Sequence, residues 1–187
     1  MKILYYHQHF STPDGSGGTR SYEFAKKLIS SGHTVTIICG SYWLAKSGLN
    51  NKFENGIRKG VVDKINVIEL DLSYSNADSF IKRTWIFFKY SLFGIYFALK
   101  EDYDLLFATS TPLTAGVPGI VARLLKKKKF VFEVRDLWPE LPKAMGVITN
   151  PIILKTMEIL EMSTYKFSEA CIGLSPGIVN GIKRKFP

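Results

Sequence analysis

Two cysteines in 187 residues, Cys39 and Cys171, with no CxxC pair and no Cys/His spacing near them, exclude a disulfide framework and a spaced zinc site. Each lies in an apolar run, Val35–Cys39 and Ala170–Leu174, so both are expected as buried, reduced strand residues. Eight prolines and 15 glycines are too few for a fibrous or low-complexity chain. No apolar run reaches the roughly 20 residues that a membrane-spanning helix needs. The most apolar stretch, Phe80–Lys100, is broken by Lys82, Arg83 and Lys89. The N-terminal Met1-Lys2-Ile3-Leu4-Tyr5-Tyr6-His7 has an apolar patch but neither the length nor the small-residue cleavage site of a signal peptide. A cytoplasmic protein is the expectation.

Acidic residues are scarce as well: 16 Asp+Glu against 25 Lys+Arg leave a formal charge of +9. The excess gathers at Lys126–Lys129, at Lys82-Arg83 with Lys89, and at Lys183-Arg184-Lys185. A sequence pI near 9.5 suggests nucleic acid, yet there is no RNP aromatic pattern, zinc spacing or basic helix with heptads. Nucleic acid is therefore not expected as a partner, whereas an anionic membrane surface or a phosphorylated substrate is. A solvated basic face is the plain alternative. What the chain does have is core material, since 46% of it is hydrophobic and 13% aromatic. The length suits one domain.

The pattern alternates strand and helix. Lys2–His7 is apolar throughout, as in a strand buried on both faces. A polar loop, Ser11–Gly18, leads into a helical pattern from Thr19 with Tyr22, Ala25, Leu28 and Ile29 on one face, stopped by Gly32. Val35–Cys39 is the second strand, and Ser41–Lys64 carries little signal. Further strands are expected at Val67–Leu70, Tyr103–Ala108, Phe130–Val134 and Ala170–Leu174. Helices are expected at Ser79–Lys100, Thr114–Leu125, Ile152–Phe167 and from Pro176, the third with Asn150 as N-cap and Pro151 at its first position. This is an α/β, Rossmann-like, doubly wound domain with a mainly parallel sheet. Ligands in such sheets sit at the carboxyl ends of strands, so the loops after His7, Ala108, Val134 and Leu174 matter most.

Two loops there carry chemistry. Gly15-Ser16-Gly17-Gly18-Thr19-Arg20 opens directly into a helix, where close backbone approach and the positive helix end favour a phosphate. It is neither a Walker A nor a dinucleotide fingerprint, and a plain flexible turn is the alternative. Glu133-Val134-Arg135-Asp136-Leu137-Trp138-Pro139-Glu140 ends a strand with four charges, which are costly to bury unless paired or bound to something. An internal Arg/Asp salt bridge shaping the loop is the alternative to a ligand site.

These residues resemble a known family. The first strand, its long loop with Gly17-Gly18, the helix Tyr22–Leu28 and Gly32-His33-Thr34-Val35-Thr36 look like the N-terminal domain of family 4 (group 1) retaining glycosyltransferases of the GT-B fold. Phe132–Pro139 is similar to a subset that builds bacterial O-antigen and capsule, including fucosamine transferases, and Glu169–Gly177 matches the strand and turn closing that domain. The resemblance implies that residues 1–187 are one acceptor-side domain, with a C-terminal nucleotide-binding domain absent from the chain and no transfer by this half alone. It implies a nucleotide-sugar donor, UDP-linked, as substrate, with no cofactor and no metal. The donor phosphates would approach Gly17, Gly18, Thr19 and Arg20; Asp136 falls where relatives place a catalytic-site residue. His9, Arg135, Glu140 and Ser175 are the expected acceptor-loop residues. The acceptor would be a polyprenyl-linked glycan of a surface polysaccharide such as lipopolysaccharide.

The Phe80–Lys100 helix does not span a bilayer, but Trp85 and Phe88 with Lys82, Arg83 and Lys89 suit a helix lying in the interface of an anionic membrane. A core helix is the alternative. The expected location is peripheral, at the inner face of the plasma membrane. Two other functions fit the pattern: a sugar-nucleotide epimerase of the same fold, for which only His7 and His9 lie at a strand end, and a non-catalytic basic module binding membrane or nucleic acid.

Overall fold

In the computed structural model, which describes residues 1–75 and 77–186, seven strands form one sheet in the order β3-β4-β2-β1-β5-β6-β7. They are β1 (Lys2–Tyr6), β2 (Thr34–Tyr42), β3 (Ile57–Val62), β4 (Ile65–Tyr74), β5 (Leu105–Thr109), β6 (Lys129–Val134) and β7 (Ala170–Gly173). All neighbouring pairs are parallel except β3 with β4. Without β3 the order is that of the dinucleotide-type doubly wound sheet, and the strand order reverses between β1 and β5. The helices are α1 (Arg20–Ser30), α2 (Phe80–Lys100), α3 (Val117–Lys126, entered by the 3-10 turn Leu113–Gly116), α4 (Glu140–Ala144), α5 (Pro151–Phe167) and α6 (Pro176–Lys185).

The side-chain period of two sends alternate strand residues into two cores. Leu4, Tyr6, Leu106, Ala108, Phe130, Phe132 and Val134 face one, beneath α2, α3 and α5. Ile3, Tyr5, Val35, Ile37 and Phe107 face the other, with Tyr22 and Ala25 of α1. That parity also puts Thr109 and Glu133 on the α1 face, since they pair in register and alternate with Ala108 and Phe132. A carboxylate and a hydroxyl thus sit on the inner side of α1 for a purely geometric reason.

Several sequence expectations hold. Gly32 ends α1 with φ +83°, and Asn150 accepts from the Ile152 and Ile153 amides. Others are corrected. The low-signal stretch contains β3, an edge strand joined to β4 by Asp63-Lys64, both in the left-handed region. A two-residue hairpin of that kind is normally announced by glycine or asparagine, and here neither is present. Cys39 is buried as expected, but Cys171 is only half-buried, beside Ser168 Oγ at 3.1 Å. Helix α2 is a core helix on one face and leaves the other exposed. Ile86, Tyr90, Gly94 and Phe97 face the core, while Ile81, Trp85, Phe88, Leu92, Tyr96 and Leu99 form an exposed apolar stripe. Among the described residues no helix is long and apolar enough to cross a membrane.

Candidate functional site

In a sheet of this order the ligand crevice falls at the reversal, outside the carboxyl ends of β1, β5 and β6. Parity brings Glu133 under the first turn of α1, and Arg20 reaches down to it. Arg20 Nε and Nη2 donate to Glu133 Oε1 at 3.0 and 2.5 Å, and the Thr109 hydroxyl donates to Glu133 Oε2. Glu133 is buried and Arg20 about half exposed. The charges of the β6 loop are therefore not satisfied by an Arg135–Asp136 pair: Glu133 takes Arg20, and Glu140 takes Lys185 at 2.6 Å.

Arg135 is differently placed. Its amide donates to Ser110 Oγ at 2.9 Å, and its Nη1 lies 3.5 Å from His7 Nε2. A guanidinium has donors only, so this contact leaves Nε2 bare and puts the imidazole proton on Nδ1, donated to Ser21 Oγ at 2.7 Å. Burial, then the neighbouring His9, Arg135 and Arg20 charges, hold His7 well below the ordinary imidazole range. Burial and Arg135 bring His9 down to about 4. Both rings are neutral near pH 7, and Arg135 makes no ion pair among the described residues. The crevice thus presents a cation without a protein anion beside two neutral imidazoles, a setting that attracts an anionic ligand.

The titration has a measurable consequence. Unfolded histidine titrates near 6.5, so between about 6.5 and 4 the unfolded chain binds protons that the folded His9 refuses, and stability falls as pH falls. At full development this is ~1.4 kcal/mol per pH unit for each such group. The urea midpoint should drop from pH 7 to pH 5, and His9→Gln should reduce that drop. A pH slope unchanged by the substitution would refute the neutral, shielded imidazole.

The glycine loop is partly spent on its own shape. Ser16 and Gly17 amides both donate to the Leu44 carbonyl, at 3.0 and 3.1 Å. At Gly15 a Cβ would lie 2.3 Å from Ser11 Oγ and 2.8 Å from the Lys46 amide, so that glycine is required by packing. Gly18 is exposed, and a Cβ there would meet nothing within 4 Å. Thr19 is the N-cap of α1 without a side-chain cap bond. The open donors are therefore those from Gly18 onward, the first-turn groups that a helix leaves without partners.

The structure brings His9, Arg135 and the Gly18–Arg20 turn to one crevice, with His9 against Tyr42 at 5.0 Å between ring centroids. Asp136 follows directly, half-buried, with no hydrogen bond or ion pair to its carboxylate among the described residues. Glu140 and Ser175 are otherwise engaged, the first by Lys185 and the second as the α6 cap. The loop that carries Asp136 is held from below. Glu161, buried on α5, accepts from the Trp138 amide at 2.8 Å, and Lys185 donates to the Trp138 carbonyl at 2.7 Å and to Glu161. Sequence reading passed over Gln8, Thr109 and Ser110, and named Glu133 in the charged β6 loop without its Arg20 partner. Gln8 is buried with neither side-chain amide atom partnered among the described residues; a polar residue directly after an apolar strand was its only signal. Lys82, Arg83, Trp85, Phe88 and Lys89 lie on the amino-terminal half of α2, away from the crevice loops in sequence but at the same edge of the sheet. Lys89 Nζ sits 5.5 Å over the Trp85 ring, which stacks on Phe88. No group of three or more His, Cys, Asp or Glu among the described residues is placed to hold a metal ion.

No protein-family model matches the chain, and no curated protein matches it. Solved structures do. The chain is similar to sucrose-phosphate synthase from Thermosynechococcus elongatus, with a TM-score of 0.64 and 14% identity over 98% of this chain and 44% of that one. It is also similar to a trehalose-6-phosphate structure from E. coli bound with UDP-2-fluoro glucose, with a TM-score of 0.58 and 10% identity over 96% of this chain and 41% of that one. These neighbours are GT-B glycosyltransferases, and the chain spans less than half the length of either. The fold is accordingly that of a Rossmann-like α/β domain of the GT-B type.

Proposed function

We propose that this chain is the N-terminal, acceptor-side domain of a retaining glycosyltransferase that moves a sugar from a UDP-linked donor to a polyprenyl-linked glycan in bacterial surface polysaccharide synthesis. The observation that carries the reading is the crevice at the strand-order reversal of a GT-B-type domain, where Arg135 stands without a protein anion beside the open first turn of α1. Phosphate oxygens of the donor suit Gly18, Thr19 and Arg135, with charge-assisted hydrogen bonds from the guanidinium. Arg20, already paired to Glu133, orients the turn and contributes less charge than its position suggests. Stabilising the departing diphosphate is the main chemical task in this reading. Asp136 and His9 face the reacting sugar, and Asp136 orients its hydroxyls as a carboxylate acceptor. The exposed stripe of α2, with Lys89 beside it, supports a seat against an anionic bilayer surface and with it a peripheral location at the cytoplasmic face.

The test is UDP-glucose binding followed by amide shifts at Gly18, Thr19 and Arg135. Gly18→Val adds bulk into open space, so it should leave the thermal midpoint intact and weaken UDP-glucose at least ~tenfold, a change of ~1.4 kcal/mol. Equal binding by the variant and the original chain would remove the phosphate site from this turn.

A further inference from the structure

Between α2, α5 and the loops after β5 and β6 lies a cavity of about 330 Å3, at the small end of the roughly 300–1,000 Å3 of ligand pockets. Its wall is almost wholly apolar, formed by residues such as Phe87, Leu113, Ile153 and Met157. Arg83 and Trp138 interrupt that wall. Arg83 Nε and the Trp138 indole N–H are both cut off from solvent and lack a hydrogen-bond partner among the described residues. Buried donors are normally satisfied, and the two unsatisfied ones here belong to residues that line one apolar cavity, just behind its surface. The donors gain an acceptor by turning toward an oxygen brought into the cavity.

The surroundings narrow the ligand. Lys82 is paired with Asp78 at 2.6 Å, but Lys89 stands on the same helix as Arg83, so the local charge is positive and the acceptor it complements is anionic. Phe88 belongs both to the cavity and to the exposed stripe that continues through Trp85 and Leu92, so the apolar lining runs without a break onto an apolar surface. An apolar chain ending in an anion fits this arrangement, and an ordinary polar metabolite does not. The cavity also adjoins the chemistry: Trp138 is two residues beyond Asp136, on the loop whose Arg135 meets His7.

We propose that the α2–α5 cavity binds the hydrocarbon tail of a lipid phosphate whose phosphate oxygens are met by Arg83 and Trp138, and that this lipid is the carrier of the sugar acceptor. The second half rests on the transferase reading above. A bilayer phospholipid has no need of a seat beside the Asp136 loop; a carrier whose attached sugar must reach the crevice does.

Farnesyl phosphate is the probe, and the Trp138 indole resonance of the purified chain is the readout. Saturable shifts of that resonance are expected. Val147→Trp fills the mouth from an exposed position and should weaken farnesyl phosphate at least roughly tenfold, as should Arg83→Gln through loss of a charge-assisted contact. Unchanged binding in both variants overturns the site. Farnesol binding as tightly as farnesyl phosphate overturns the role of the phosphate. Vesicles of dioleoyl phosphatidylglycerol displacing the probe as well as unlabelled farnesyl phosphate does overturn the commitment to a carrier. UDP-glucose binding on the same samples separates the two readings. Its persistence without farnesyl phosphate binding sinks the cavity assignment alone, and its absence beside intact farnesyl phosphate binding removes the donor-phosphate site from the α1 turn while the cavity assignment stands.

Discussion

Phe132→Ala is expected to cost the fold ~3–5 kcal/mol, read as a large fall in the urea midpoint. The ring is fully buried at the centre of the larger core, with ring centroids 6.0 Å from Phe130 and 6.4 Å from Tyr165. The neighbours around it are fixed, because β6 is flanked by β5 and β7 and covered by α3 and α5, so the cavity left by truncation cannot close. Domains of this kind hold only ~5–15 kcal/mol in total, so the variant should be close to its unfolding threshold at room temperature. Phe132→Leu, which keeps most of the volume, should lose much less. A small loss for Phe132→Ala would contradict the placement of β6 in the middle of that core. The site depends on the same strand, since Phe132 and Glu133 are consecutive and point to opposite faces.

Arg20→Ala carries the second large effect. It removes two hydrogen bonds from Glu133 and leaves a buried carboxylate with the Thr109 hydroxyl as its remaining side-chain partner. Breaking a buried ion pair from one side costs ~3–5 kcal/mol. Arg20 is half exposed, so water recovers part of this and ~2–3 kcal/mol is the expected loss. The double variant Arg20→Ala with Glu133→Gln should regain most of it, because the buried charge is gone. Stability untouched by Arg20→Ala would mean that the pair contributes nothing. The two arginines should also separate in function: Arg135→Ala is expected to weaken UDP-glucose more than Arg20→Ala, since only Arg20 has its charge already met by the protein.

The legible parts of this chain are those with a local cause. An apolar run of five residues, a helical stripe from Tyr22 to Ile29, Gly32 after it, and Asn150-Pro151 before α5 each act through neighbours in sequence, and each appears where its pattern puts it. β3 was illegible because its turn, Asp63-Lys64, uses left-handed residues that are not glycine, and because an edge strand with Arg58 and Lys59 has no strong apolar alternation. The short α4 was hidden for a similar reason: five residues after Pro139 are held by Glu161 and Lys185, which lie some twenty and forty-five positions along the chain.

The candidate site divides the same way. The loops to search followed from the order of strands and helices, and Gly18, Arg135 and Asp136 stood in them. Which charges are free did not follow, because Arg20 and Glu133 are 113 residues apart and meet only when β6 lies two strands away from β1, beyond β5. Sequence by itself determined the alternation of strand and helix, the glycine-rich entry to α1 and the surplus of positive charge, since these rest on local periodicity and composition. Tertiary structure alone decided that Arg20 is paired and Arg135 is not, and that α2 turns one face to the core and leaves an apolar stripe outside. It also closed a cavity around Arg83 and Trp138. Pairing, burial and enclosure are properties of distance in space, and the sheet sets those distances by joining strands that the chain keeps far apart.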